Sequence, residues 1–186
     1  MYNLPEQDRE QLMMRAAECL DEGSSIEDKM RTAQYIYDSW SDQLRREPDI
    51  HHLIEKLEMC LENSRAAMLE LGIVEICKHC DEEEGGSCCG AGMEHKFDTL
   101  LLLMNLLLGV SLPEGHCRPN SCYLLTEKGC SLKVRLVLCV DFLCPKILNT
   151  MSREDLIRLQ QISGDELTTG FMLYDALKRF MRNTKN

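Results

Sequence analysis

Eleven cysteines stand in a chain of 186 residues. Nine of them fall between Ile73 and Cys144. The first two, Cys77 and Cys80, are separated by two residues, a spacing at which a tight knuckle of chain turns both sulfurs toward one ion. Next comes the adjacent pair Cys88-Cys89. Consecutive side chains of an extended segment point to opposite sides, and Gly85, Gly86 and Gly90 supply the backbone freedom for the pair to reach one site or to bridge two. Cys122, Cys130, Cys139 and Cys144 are more widely spaced, with 7, 8 and 4 intervening residues, so a fold has to collect them. Setting aside Cys117, which stays open beside His116, eight candidate thiolates remain: Cys77, Cys80, Cys88, Cys89, Cys122, Cys130, Cys139 and Cys144. That is enough for two tetrahedral four-thiolate sites or one larger cluster.

Packing is the competing explanation, because free cysteine is a small hydrophobe often found in cores. Cys19 and Cys60 lie on apolar helix faces and are assigned to packing, and Cys139 has the core-like neighbours Leu138, Val140 and Phe142. Cys77, Cys80, Cys88 and Cys89 differ. They sit among Lys78, Asp81, Glu82, Glu83, Glu84 and glycines, where no apolar surface needs them. An odd total also cannot pair completely into disulfides within one chain. The N-terminus, Met1-Tyr2-Asn3-Leu4-Pro5-Glu6, shows no basic stretch followed by an apolar one, so a cytoplasmic, thiol-reducing location is expected.

The order Cys77-Lys78-His79-Cys80, Ser87-Cys88-Cys89-Gly90, Cys122-Tyr123-Leu124-Leu125, Gly129-Cys130-Ser131-Leu132, Arg135 and Cys139 resembles the YkgJ-type CxxCxxCC family of zinc- or iron-chelating proteins. The resemblance covers residues 77–144 and none of the flanking helices. It departs from the family in two places. Seven residues rather than two separate Cys80 from Cys88, and Leu136 rather than proline follows Arg135. The resemblance implies metal chelation and no particular reaction.

Zinc and iron both accept four thiolates. A ferredoxin-like C-x2-C-x2-C run is missing, and so is the second C-x2-C knuckle of a zinc ribbon. The expected cofactor is therefore zinc or iron, with an iron-sulfur cluster in an electron-transfer or redox protein as the alternative. A third reading, an interaction module whose cysteines are core residues, involves no metal. Eight thiolates would add about eight negative charges to a chain already at −10, so backbone amides and nearby cations such as Lys78, Lys133 or Arg135 are expected to donate to the sulfurs and offset that charge.

Other chemistry finds less support. A thioredoxin-like pair needs its attacking cysteine at a helix N-terminus, and the acidic, glycine-containing stretch after Cys80 argues against it. Gly90-Ala91-Gly92 has no Lys-Ser/Thr partner for phosphate. His51 and His52 read as solvated first-turn residues, while His79 and His116 are the histidines placed to substitute for a cysteine. With 31 acidic against 21 basic residues, attraction to nucleic acid or anionic membrane is not expected. A metal ion is the expected partner, and the sequence specifies no protein partner.

The elements that must position these residues divide the chain into three segments: 1–72, N-terminal and helical; 73–150, cysteine-rich; and 151–186, C-terminal helices that pack on the N-terminal ones in one compact domain. In the first, a helix is expected over about 5–21. A second starts at the capping box Ser25-Ile26-Glu27-Asp28 and carries an apolar stripe of Ile26, Met30, Ala33, Tyr37, Trp40 and Leu44, and a third opens at Pro48-Asp49 and ends at Gly72. The middle segment reads as irregular apart from a buried leucine-rich helix over about 96–109, with a small hairpin expected between extended pieces around Tyr123-Leu124-Leu125 and Ser131-Leu132-Lys133-Val134 across Glu127-Lys128-Gly129. That run is too short for the roughly 20 residues a membrane span needs. Ser152-Arg153-Glu154-Asp155 and Ser163-Gly164-Asp165-Glu166 read as two further helix starts. The expected fold is mainly α, a helical bundle with an irregular cysteine-rich metal-binding insert that has room for a short β-hairpin.

Overall fold

Ser25 does cap a helix: its side chain accepts the Asp28 amide at 3.1 Å and opens α1, Ile26–Arg46. The stripe it carries faces inward, with Ile26, Met30, Ala33 and Leu44 buried, Tyr37 and Trp40 half-buried against the core, and Ile36 widening the face. Pro48 starts α2, Pro48–Glu70, where its missing N–H costs nothing. Gly72 follows at φ 70°, a left-handed turn that glycine makes without strain. These residues belong to a computed structural model that describes residues 23–83 and 88–183. The helix expected over 5–21 with Cys19, the Gly85-Gly86 turn and Glu84 lie outside the described residues.

The molecule is mainly α-helical, with a two-stranded hairpin inside the cysteine-rich segment. Its centre is α4, Thr99–Leu107, whose residues are buried nearly all round. Asp98 caps it by accepting the Leu101 amide at 2.8 Å. The long C-terminal helix α7, Arg153–Asn183, lies along α2, and α4 packs mainly on α1 and also meets α7. Leu57, Leu61, Leu173, Leu177 and the leucines of α4 form the main core. A smaller core of Ala67, Met68, Ile73, Val140, Ile147 and Leu159 is separate from it. No helix of the described residues is long and apolar enough to cross a membrane.

Three expectations need correction. The middle segment is more helical than its sequence suggests: α3, Ile73–Glu83, α5, Val137–Asp141, and α6, Pro145–Thr150, are all formed. Each is short and places an apolar residue, Ile73, Val140 or Ile147, in the smaller core, so tertiary burial stabilises helices too short to stand alone. The acidic end of α3 does not break, and Arg118 pairs with Asp81 there at 2.7 Å. Second, Ser163-Gly164-Asp165-Glu166 is not a helix start. α7 runs through it, Ser163 is buried, and its hydroxyl donates back to the Gln160 carbonyl. Continuous packing along α2 outweighs about 1 kcal/mol of glycine penalty. Third, the hairpin pairs Leu125 with Cys130 and Thr126 with Gly129, so its second strand, Gly129–Cys130, precedes the expected one.

Asn105 explains the last shift. It interrupts the leucine run yet is fully buried, donating to the Leu101 and Val134 carbonyls at 2.9 and 3.0 Å and accepting the Lys133 and Val134 amides at 2.8 and 3.0 Å. All four hydrogen bonds an amide can make along these directions are present. Residues 133–134 are thereby tied to α4 instead of extending the strand.

Candidate metal centre

Cys77 and Cys80 sit on α3 at i and i+3, one above the other on a single helix face. The knuckle expected between them is replaced by a helical turn, which still directs both sulfurs the same way. Cys144 is the N-cap of α6, and α6 packs on α3. Lys146, one turn into α6, brings its Nζ to 3.7 Å from Cys80 Sγ. Cys89 is tied to the stretch that carries Cys122, its carbonyl accepting the Cys122 amide at 2.7 Å. The Cys122 carbonyl accepts the Leu125 amide at 2.9 Å, and Leu125 is the strand partner of Cys130. Cys139 lies on α5, held by its amide to the Leu136 carbonyl at 2.8 Å.

Two buried charges fix the loop that carries Cys89. Lys29 of α1 donates to the His95 and Phe97 carbonyls at 2.9 and 3.0 Å, gripping the 3-10 turn Met93–Lys96. Glu94 accepts the Gly92 amide at 3.0 Å and the Tyr123 amide at 3.4 Å. Burial by itself would raise the Glu94 pKa, but backbone hydrogen bonds, those from Gly92 and Tyr123 among them, outweigh it and hold the carboxyl below its usual value. Gly92, at φ 94°, permits the turn.

The thiols act on one another electrostatically. Cys77 is raised by burial first and then by Cys88, Cys144 and Cys80. Cys139 is raised by burial and then by Cys130, with Cys88 contributing. Cys122 is pushed up to about 11 by burial, with Cys130 and Cys139 adding to it. In the vicinal pair the Cys89 thiol donates to Cys88, which lowers Cys88 to about 6 and raises Cys89, and Cys130 and Cys139 raise Cys89 further. Cysteines from five separate stretches of chain thus influence one another pairwise. A cation among them would reverse these directions, since it favours thiolate.

The arrangement is not a closed coordination sphere. Among the described residues, no three His, Cys, Asp or Glu side chains are grouped as a metal-binding set. None of the ten described cysteines is in a disulfide. Cys77, Cys88 and Cys130 are exposed, Cys80, Cys89, Cys139 and Cys144 half-buried, and Cys122 buried.

Arg135 is the cation that acts on the cluster, lowering both Cys77 and Cys139. Its Nη2 lies 3.5 Å from Met68 Sδ, and its buried Nε has no hydrogen-bond partner among the described residues. Lys133, nominated with it, instead donates to the Leu108 carbonyl at 2.7 Å at the end of α4, and Lys78 is exposed on α3. Lys146 was not visible as a contributor in the sequence, because only the packing of α6 on α3 brings it to Cys80.

Cys117 is exposed and is not one of the thiols acting most strongly on the others. His116 stacks on Tyr123 with ring centroids 5.5 Å apart and approaches the Ser121 carbonyl at 2.7 Å, which gives it a packing role. His79 lies 3.5 Å from Glu83 one turn on, and His51 similarly faces Glu55. Cys60, as expected from its helix face, packs between α2 and α7, 3.7 Å from the Thr169 hydroxyl. A thioredoxin-like role fits poorly, since Cys77 is the fifth residue of α3 and burial raises its pKa.

No family model, no curated protein and no solved structure matches the chain. The likeness to the YkgJ-type family thus rests on the cysteine motifs alone.

Proposed function

We propose that this protein holds zinc or iron through the thiolates of Cys77, Cys80, Cys88, Cys89, Cys122, Cys130, Cys139 and Cys144, in a structural or regulatory role. One observation carries the reading: Cys77 and Cys80 share a face of α3, and Cys144 opens α6, which packs on that helix. Apolar packing does not account for three of the eight being exposed. The donor set is soft and anionic once deprotonated, which suits zinc, iron or an iron-sulfur cluster. A bound cation would supply binding free energy that is also folding free energy. The protein's own part is to hold the thiols on hydrogen-bonded loops and short helices and to set Arg135 and Lys146 against their charge. A cytoplasmic location, where thiols stay reduced, belongs to the same proposal.

Elemental analysis and an absorption spectrum of protein purified without oxygen test the reading. Tightly held zinc or iron supports it, and a brown sample that bleaches on reduction assigns the iron-sulfur form. Absence of metal, with a thermal melt unchanged by strong chelator, overturns it in favour of cysteines that merely pack.

A further inference from the structure

Arg118-Pro119-Asn120-Ser121 has the composition of a tight turn, since proline presets φ at its second position and asparagine tolerates the left-handed region at its third. Asn120 lies at φ 70°, and the Ser121 amide donates to the Arg118 carbonyl at 3.3 Å and closes the turn. Two separate stretches of chain are held on it. On one side, Arg118 donates to Asp81 at 2.7 Å and stands 4.0 Å from Glu82, the two residues directly after Cys80. On the other, the Asn120 carbonyl accepts the Ala91 amide at 3.3 Å, and Ser121 bridges antiparallel to Gly90, so the two residues directly after Cys89 are engaged. The next residue, Cys122, donates its amide to the Cys89 carbonyl at 2.7 Å. His116 braces the chain entering the turn, 2.7 Å from the Ser121 carbonyl and stacked on Tyr123.

We infer that residues 118–121 form a clasp that fixes the Cys80 end of α3 to the paired Cys89 and Cys122 stretches, with Arg118 as the positioning residue that closes it. This rests on the metal-binding reading above and adds the part of the chain that keeps these cysteines in place and governs release of an ion. Apolar burial does little of that work at the end of α3. The helix fully buries only Ile73, in its first turn, and Cys80 lies two turns further on. Lys146 reaches Cys80 from α6, and Arg118 supplies the tie to the Cys89 stretch. The Arg118 and Asp81 side chains are 32% and 19% exposed, so their pair is better shielded from water than an ordinary surface ion pair. Pro119 and Asn120 are exposed, and Arg118 and Asp81 are outside the main core, so the clasp can open while the helical bundle stays folded.

Alkylation of the reduced chain in the presence of chelator, read peptide by peptide, tests the clasp without any metal. Arg118→Ala is expected to speed alkylation of half-buried Cys80 and Cys89 by about fivefold and to leave that of Cys60, between α2 and α7, unchanged. Combining Arg118→Asp with Asp81→Arg is expected to restore the slow rates. Loss of bound Co2+ to excess chelator is expected to quicken in Arg118→Ala and to slow again in the charge exchange. Unchanged Cys80 and Cys89 rates, equal acceleration at Cys60, or acceleration that the exchange does not reverse overturns the clasp. Faster alkylation with unchanged Co2+ release overturns its role in holding an ion. No Co2+ bound by the unaltered, reduced chain overturns the metal reading itself, while the alkylation rates still decide the clasp.

Discussion

Glu166 is 3% exposed in the middle of α7, and its Oε2 has no hydrogen-bond partner among the described residues. Burial raises its pKa above the usual 4.5, and Ser64, Arg135 and Arg65 oppose the shift without cancelling it. A carboxyl that resists ionisation in the folded chain costs nothing below its unfolded pKa, where both states are protonated. The cost grows as pH rises from that value to the folded pKa and is constant above it. Glu166→Gln should therefore raise the melting temperature at about pH 8 and leave it nearly unchanged at about pH 4. A gain of equal size at both pH values would show that packing, not charge, limits this position.

Helix boundaries are where local and tertiary signals compete. Ser25 and Ser152 act as the capping rule requires, each accepting the amide three residues on at 3.1 Å. Ser163 has the same local signature, but Leu159, Gly170, Leu173 and Leu177 continue one buried face across it, and the helix does not stop. Gly164 is then a glycine inside a helix, and a Cβ added there meets nothing within 4 Å. Gly164→Ala should stabilise the protein by up to about 1 kcal/mol in denaturant melts, the helix-propensity difference. Destabilisation would mean that the chain needs glycine at this point after all. The same competition gave α3, α5 and α6: each is short, and each exists because one isoleucine or valine reaches the smaller core.

At the scale of the molecule, the two cores differ in what holds them. The main core is built from α1, α2, α4, α7 and buried residues of the cysteine-rich segment such as Cys122, Leu124 and Leu132, and it contains many fully buried leucines. The smaller one has six buried residues, and the short helices around it carry Cys77, Cys80, Cys139 and Cys144. If thiolate ligation supplies folding free energy here, removing metal should loosen these helices first. Hydrogen exchange measured with and without strong chelator is expected to lose protection over 73–83 and 137–150 while α1 and α4 keep theirs. Equal protection in both samples would count against a structural role for the metal.

Much of the helical frame was legible in the sequence, because the α1 stripe at four- and three-residue spacing, the Ser25 cap and the Pro48 and Gly72 signals are local physics. The cysteine spacing was legible too, but not which cysteines pack: Cys89 lies against the main core and Cys122 is buried in it, which the acidic, glycine-rich stretch around Cys89 does not show. The path of 73–150 was not legible. Whether Cys77 and Cys80 lie on a knuckle or a helix depends on Ile73 being buried by residues about 70 positions further on. The cation choice among Lys78, Lys133 and Arg135 was also decided in three dimensions, where Asn105 ties residues 133–134 to α4 and Lys133 is drawn to the α4 carbonyls. Residue type and spacing determined which groups could meet an ion; long-range burial and hydrogen bonding determined which of them stand together, because those free energies depend on contacts that no local stretch of sequence contains.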